Sequence, residues 1–182
     1  MAKRSLPRSS PEPRHDHPSC RRDLHSGAPL NLMTPGVSLR SASGNASAVV
    51  LDGVYAADEI IFVAASNVTL AEITVTHAIN HPIHVSPPDT GPDVTGVRLY
   101  RLRVVDGGEQ FVKVNPNGAR TFWVDNGRLE CSTLLLTDAG RPHDSRSAAP
   151  LCQKLHGTVF HRCEPQAQGV ERVVLIEPPR RT

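Results

Sequence analysis

The stretch Asn67-Val-Thr-Leu-Ala-Glu-Ile-Thr-Val75 recurs further along the chain as Gly96-Val-Arg-Leu-Tyr-Arg-Leu-Arg-Val104. In both copies apolar side chains alternate with others, the alternation stops for two residues, and it then resumes. A period of two places these side chains on one face of an extended strand. The two-residue gap turns the chain through a corner while the same face stays inward. A chain that repeats this pattern is predicted to wind as a solenoid.

The repeat continues in both directions. A third copy, Arg128 to Leu136, follows the second, and a weaker copy that begins at Val37 precedes the first. Repeats of about 30 residues predict coils that stack by parallel strand pairing around a continuous apolar core. The aligned apolar columns are Val68, Val97 and Leu129; Leu70, Leu99 and Cys131; Ile73, Leu102 and Leu134; Val75, Val104 and Leu136; Ile83 and Val112; and Val85 and Val114.

The predicted fold class is therefore all-β, a right-handed parallel β-helix of about three to four coils, since connections between parallel strands strongly prefer the right hand. An antiparallel β-sandwich is the competing fold, but it does not require the same columns to recur at a regular spacing. The predicted domain spans residues 34–141. Residues 1–33 form a basic, Pro-rich tail expected to be disordered, and residues 142–182 an irregular tail with one strand at 170–177.

The segments NVTLAEITVTHAINHPIHV and GVRLYRLRVVDGGEQFVKVN resemble the parallel β-helix repeats of the pectate-lyase-like superfamily, in particular bacterial secreted β-helix proteins. The resemblance covers roughly residues 34–141. It implies an extracellular or cell-surface, carbohydrate-associated protein, although this chain shows no signal peptide and its compartment is left open. Such proteins have more coils than are readable here, so a truncated solenoid is expected. The resemblance does not specify an activity.

Two aspartates and a lysine are the candidate catalytic residues. Asp106 and Asp138 align in one column at a corner, and Lys113 lies on a neighbouring strand. Paired carboxylates can hydrolyse a glycosidic bond, whereas a lyase would hold calcium with carboxylates while a lysine removes a proton. Asp and Gly are also common turn residues for backbone reasons alone. A polysaccharide lyase or hydrolase is therefore the alternative function, and calcium is expected only in that case.

Four residues are candidates for carbohydrate contact. His77 aligns with the aspartate column, and His84 aligns with Lys113 on a surface where successive coils stack about 4.8 Å apart. Glu109 lies near a corner, and Trp123 lies in a loop where it either stacks on a sugar ring or covers the end of the core. These residues favour a noncatalytic or incomplete β-helix that contacts polysaccharide; a structural spacer is a further alternative.

No metal site or resident cofactor is expected. His81 and His84 are placed on either side of a corner as surface histidines. The residues Cys152-x3-His156-x4-His161-x-Cys163 are of the types that bind zinc, but their spacing departs from familiar zinc motifs. A formal net charge of +2 gives no nucleic-acid footprint, and no apolar run is long enough to span a membrane. Uncapped solenoid ends predict self-association through open strand edges.

Overall fold

The computed structural model describes residues 28–143, together with the backbone of two short strands, Arg22–His25 and Val159–His161. Strand makes up 42% of the structure, and the described residues contain no α-helix. The fold is a parallel β-solenoid of about four turns, which confirms the predicted fold class. The strand predicted at 170–177 lies outside the described residues, as does most of the Cys/His cluster near the C-terminus.

Sixteen short strands and two single-turn 3-10 helices make up the described structure. In chain order they are β1 (Arg22–His25), β2 (Leu30–Leu32), β3 (Ser38–Arg40), η1 (Ala46–Ala48), β4 (Val49–Asp52), β5 (Glu59–Val63), β6 (Thr69–Ala71), β7 (Thr74–Ala78), β8 (His81–Val85), β9 (Val94–Thr95), β10 (Arg98–Tyr100), β11 (Arg103–Gly107), β12 (Val112–Val114), β13 (Val124–Asp125), β14 (Arg128–Glu130), β15 (Thr133–Leu135), η2 (Arg141–His143) and β16 (Val159–His161).

Three parallel sheets form the faces of the solenoid. Sheet A has the order β1-β4-β7-β11-β15, sheet B the order β2-β5-β8-β12, and sheet C the order β3-β6-β10-β14-β16. A small fourth sheet pairs β9 with β13. Because the chain visits sheets A, B and C in turn, each of the first four coils contributes one strand to each face, and a position on one coil stacks directly on its equivalent in the next.

The core consists of inward apolar columns, of which the sequence correctly predicts the pairs Leu70 with Leu99, Val75 with Val104 and Val85 with Val114. Each fully buried Leu, Ile or Val stabilises the fold by on the order of 1.5–3 kcal/mol relative to an exposed side chain. These columns therefore make the main favourable contribution to the free energy of folding. Strand pairing aligns them as Leu39, Leu70, Leu99 and Leu129 in sheet C; Leu51, Val75, Val104 and Leu134 in sheet A; and Leu32, Val63, Val85 and Val114 in sheet B.

The corner between sheets C and A explains the two-residue gap in the repeat. Glu72, Arg101 and the disulfide-bonded Cys131 occupy it in successive coils, with φ angles of 56°, 49° and 51°. Such left-handed conformations are unfavourable for residues other than glycine. Each of the first two is supported by the next coil: Glu72 N–H donates to the carbonyl oxygen of Tyr100, and Arg101 N–H to that of Glu130, both at 3.0 Å.

The third coil lies two residues away from its predicted alignment. Leu99 pairs with Leu129, whereas the sequence alignment matched Leu99 with Cys131. A shift of two residues keeps the same face inward, so alternation alone does not exclude it. In the observed register Ser132 takes the place next to Leu102, and its hydroxyl accepts the Leu102 N–H at 3.0 Å. The apolar pattern alone does not predict a serine at this position of the repeat.

The strand pairing reaches beyond the predicted domain of residues 34–141. Strands β1 and β2 lie upstream of it and pair with β4 and β5, and β16 lies in the predicted irregular tail and pairs with β14. Among the described residues, no helix is long and apolar enough to cross a membrane.

Candidate functional site

The outer face of sheet B carries a row of three side chains, of which the sequence predicts His84 and Lys113. His84 of β8 pairs in register with Lys113 of β12, and Phe62 of β5 completes the row on the other side. The apolar residues that flank each of these three positions along its strand pack into the core. We call Phe62, His84 and Lys113 the sheet B row.

His84 uses both of its ring nitrogens in hydrogen bonds. Nδ1 contacts a carboxylate oxygen of Glu59, and Nε2 contacts Oδ1 of Asn115. The Asn115 amide nitrogen donates to the carbonyl oxygen of Pro116 at 2.7 Å, which leaves Oδ1 as the acceptor. Each ring nitrogen of His84 therefore has a polar side-chain partner, one a carboxylate and the other an amide oxygen, and the ring is held between them.

His81 lies beneath the row and links it to Glu109. Its side chain is only 4% exposed, and its Nε2 lies 3.1 Å from Lys113 Nζ and 3.2 Å from a Glu109 carboxylate oxygen. Burial, followed by the charges of Lys113 and His84, lowers the pKa of His81 to about 3. The ring is therefore neutral near pH 7. In one neutral tautomer Nε2 accepts from Lys113 Nζ, and in the other it donates to the Glu109 carboxylate; in both, Nδ1 is buried with no partner among the described residues.

The location of His81 differs from the sequence-based expectation. His81 and His84 belong to one continuous strand, β8, rather than lying on either side of a corner. His81 is buried instead of being a surface histidine. The turn signal from Pro82 was misleading because this proline lies inside the strand, a position that proline occupies only rarely.

The corner column containing His77 and Asp106 is also present. Val105 pairs with Thr76 and Gly107 with Ala78, so Asp106 faces His77 across the strands. Asp106 is only 3% exposed, and both its oxygens are occupied: Oδ1 accepts the Thr137 N–H at 2.6 Å and Oδ2 accepts the Thr137 hydroxyl at 2.7 Å. This carboxylate fixes the chain where β15 ends.

Asp138 does not join that column, which corrects the predicted alignment. Val105 pairs with Leu135, so Leu136 is the residue that follows in register with Asp106. Asp138 lies two positions further along, with its side chain 98% exposed and Oδ1 accepting from Arg141 Nε at 2.9 Å. The cause is the two-residue register difference in the third coil. The two predicted carboxylates therefore have different surroundings.

Aromatic rings cover one side of the same corner. Tyr55 stacks on His143 with ring centres 3.6 Å apart and lies 4.9 Å from the ring of His77. Nδ1 of His77 is 2.8 Å from a carboxylate oxygen of Asp52. Burial, followed by the charges of Asp106 and Asp52, raises the pKa of Tyr55. The phenol consequently stays protonated, and the corner is held together by hydrogen bonds and stacking.

Trp123 precedes β13 in a loop shaped by an asparagine. Oδ1 of the buried Asn117 accepts the N–H groups of Thr121 and Phe122, at 2.8 and 2.9 Å. The Trp123 N–H donates to a carboxylate oxygen of Asp93 at 2.7 Å. These bonds fix the backbone on both sides of Trp123, which is partly buried. Both roles considered for Trp123, sugar stacking and core covering, stay predictions.

Three residues of the site were missed by the sequence analysis. Glu59 lies 25 residues before His84, and Asn115 lies 31 residues after it. His81 was considered only as a surface residue. From the coil length alone, Glu59 and Asn115 could have been placed on the coils before and after that of His84. The alternation of apolar residues does not predict in which direction side chains at strand ends point.

In the part of the chain that the structure describes, no group of three or more His, Cys, Asp or Glu side chains could hold a metal ion. Comparison of the chain with protein-family models, with curated proteins and with solved structures gave no match.

Proposed function

We propose that this chain is a noncatalytic β-helix protein that binds carbohydrate on the outer face of sheet B. The observation that carries this proposal is the sheet B row, in which His84 and Lys113 lie on adjacent strands, with Glu59, Glu109 and Asn115 around them. Adjacent strands place these groups about 4.8 Å apart along the solenoid axis. A linear polymer lying along that axis would contact side chains from successive coils of this face.

The chemistry of the row suits sugar hydroxyl groups, which both donate and accept hydrogen bonds. Lys113 supplies a donor, and Glu109, about half of whose side chain is exposed, supplies an acceptor. Phe62 is partly exposed beside His84, with ring centres 5.2 Å apart, and offers an apolar surface for the C–H face of a sugar. The paired His84 holds these groups in fixed positions, which lowers the entropy cost of binding.

A purely structural spacer has less support than a binding protein. A buried polar group without a partner costs about 1–3 kcal/mol, and His81 Nδ1 is such a group. A solenoid used only as a spacer would gain stability from an apolar residue there. Retaining His81 makes physical sense where the ring orients Lys113 for a ligand.

Catalysis by Asp106, Asp138 and Lys113 also has less support. Glycosidases need two carboxyl groups about 5–10 Å apart that face the same bond. Here both Asp106 oxygens are bound to Thr137, and Asp138 lies outside its column. Lys113 belongs to sheet B, whereas the two aspartates belong to or follow strands of sheet A. A lyase or hydrolase would require these residues to rearrange.

The proposal includes a relationship suggested by the sequence. We infer descent from bacterial secreted β-helix proteins of the pectate-lyase-like superfamily, and with it an extracellular setting. Support comes from the repeats quoted above and from the parallel solenoid itself, a fold that proteins with many different functions use.

Affinity gel electrophoresis with xylan, glucomannan and mixed-linkage β-glucan tests the proposal. We expect at least one polymer to retard the protein, and Lys113→Ala to weaken binding about 5- to 10-fold through loss of one charged hydrogen bond. Arg120→Ala, which removes an exposed cation from the loop after β12, is the matched control and should bind as the native chain does. Thermal melts would establish that both variants fold.

Two outcomes would contradict the proposal. Absence of retardation by every polymer would favour the spacer. Release of reducing ends, or of unsaturated products on adding calcium, would show an enzyme and direct attention back to Asp106, Asp138 and Lys113.

A further inference from the structure

A second surface, on sheet C and its corner with sheet A, concentrates positive charge. Residues 28–143 contain eight Lys and Arg against eleven Asp and Glu, so this part of the chain is net negative with His neutral. Five of the eight cations nevertheless lie on this one surface, and all five are exposed. We call them the arginine face: Arg40, Arg98, Arg101, Arg103 and Arg128.

Two recessed carboxylates orient three of these arginines without covering them. Glu72 accepts from Arg40 at 2.7 Å and lies 3.7 Å from Arg101; Glu130 accepts from Arg98 Nε at 2.7 Å. The glutamate side chains are only 8% and 13% exposed, whereas these arginine side chains are 50–59% exposed. The surface presented to solvent is therefore guanidinium, with the negative charge beneath it.

A tyrosine between two of the arginines adds further order. The guanidinium carbons of Arg98 and Arg101 lie 4.6 and 5.4 Å from the ring centre of Tyr100. Cation–π contacts of this kind fix flexible side chains at modest energetic gain. Because less motion remains to be lost, an anion that meets these groups binds at a smaller entropy cost.

The arginines also follow the solenoid axis. Arg98 pairs in register with Arg128 on the next coil, so their backbones are about 4.8 Å apart. Arg103, two residues after Arg101, extends the surface around the corner into sheet A. Guanidinium groups in a row match a chain that carries an oxyanion on successive units, and each can form a two-pronged contact with sulfate or carboxylate.

We propose that the arginine face binds an anionic polysaccharide through its sulfate or carboxylate groups. Single-stranded nucleic acid fits less well, because its sequence-independent binding uses open aromatic rings on which bases stack. Tyr100 is the sole aromatic residue of this surface in the described chain, and two guanidinium groups already lie over it. This site is separate from the sheet B row and does not depend on the function proposed for that row.

Binding of heparin and of alginate to the full chain, measured by titration calorimetry at two salt concentrations, tests the site. The double variant Arg103→Gln/Arg128→Gln removes two cations of the face. Its matched control, Arg120→Gln/Arg141→Gln, removes the same charge elsewhere. We expect the first variant to weaken binding about 5- to 20-fold and the control less than about 2-fold. Heparin and alginate distinguish sulfate from carboxylate as the recognised group.

Three results would overturn the inference: no binding of either polymer, equal losses in the two double variants, or tighter binding of a single-stranded oligonucleotide than of both polysaccharides. Lys113→Ala should leave binding of the anionic polymers unchanged. If Lys113→Ala loses binding of neutral polysaccharide but keeps binding of heparin or alginate, and Arg103→Gln/Arg128→Gln does the reverse, the two sites are separate.

Discussion

The outer faces of sheets B and C are built on the same apolar core, yet they use polar side chains in opposite ways. On sheet B, His81 and His84 are recessed, and their partners close over them. On sheet C, the carboxylates of Glu72 and Glu130 are recessed, and the arginines extend outward. An outward position in a strand therefore does not by itself determine how exposed a side chain is. Its exposure also depends on the lengths and charges of the side chains on the coils above and below.

The difference has an energetic consequence. Interactions in a recessed network are strong, and removing one partner leaves a buried group unsatisfied. Exposed ion pairs are screened by water and contribute little. We therefore expect substitutions of the recessed partners on sheet B to affect folding, and substitutions on the arginine face to affect binding with little change in stability.

The largest effect on stability is expected for Asp106, which is as recessed as the histidines of sheet B. Asp106→Ala removes the acceptors of the Thr137 N–H and of the Thr137 hydroxyl, which keeps only its bond from the Gly140 N–H, at a cost of about 2–4 kcal/mol. Asp138→Ala, on the exposed side chain that was predicted to pair with it, should leave the free energy of unfolding unchanged. Urea unfolding of both variants measures the contrast, and equal losses would show that Asp106 is less buried than described.

The next largest effect is expected for the partner of His84. Glu59→Ala leaves His84 Nδ1 without an acceptor and should destabilise the fold by about 1–3 kcal/mol. On the arginine face, Glu130→Ala breaks the pair with Arg98, whose guanidinium is half exposed and can be hydrated by water, and should cost about 0–1 kcal/mol. The same urea experiment compares them. If Glu130 proved the more costly of the two, the contrast between the faces would be wrong.

A pH-dependent effect is expected for His81. Its pKa is about 3 in the folded chain and near 6.5 when unfolded. The unfolded state therefore binds one more proton between these values, and stability falls as the pH drops from about 6.5 towards 3, by at most about 1.4 kcal/mol per pH unit. His81→Leu keeps a similar volume and should lessen this fall while leaving stability at pH 8 equal or higher. Unchanged pH dependence in His81→Leu would contradict the assignment of a buried, neutral ring.

The smallest effect concerns salt. Raising the salt concentration from about 0.05 to 0.5 M should leave the melting temperature of the native chain nearly unchanged, because exposed pairs such as Arg98 with Glu130 contribute little. Heparin binding at the arginine face should weaken strongly over the same range. A large drop in melting temperature would show that the arginine face stabilises the fold.

The sequence predicts the parts of this molecule that depend on a repeated spacing. The constant offset between the first two full copies correctly predicted the solenoid, the pairing of His84 with Lys113, and the position of Asp106 opposite His77. These follow because parallel stacking converts equal spacing into contact. The copy beginning at Val37 was also correctly aligned.

What the sequence did not predict depends on side-chain direction and on polar residues in partly or fully buried positions. Moving the third coil by two residues keeps its alternation, so the apolar pattern does not distinguish the registers; in the observed one, Ser132 accepts the Leu102 N–H. The burial of His81 accompanies a strand that contains Pro82, where proline usually indicates a turn. Glu59 and Asn115 meet His84 through their side-chain conformations, which periodicity does not specify.

The central claim is that carbohydrate contacts the sheet B row. Its most direct test is a titration of isotope-labelled full-length protein with soluble xylan or glucomannan oligosaccharides, followed by amide NMR chemical shifts. We expect saturable shifts at Phe62, His84 and Lys113 and at their strand neighbours, with the amides of Asp106 and Asp138 unmoved. Shifts confined to the corner containing Asp106, or no shifts at any residue with either oligosaccharide, would contradict the account.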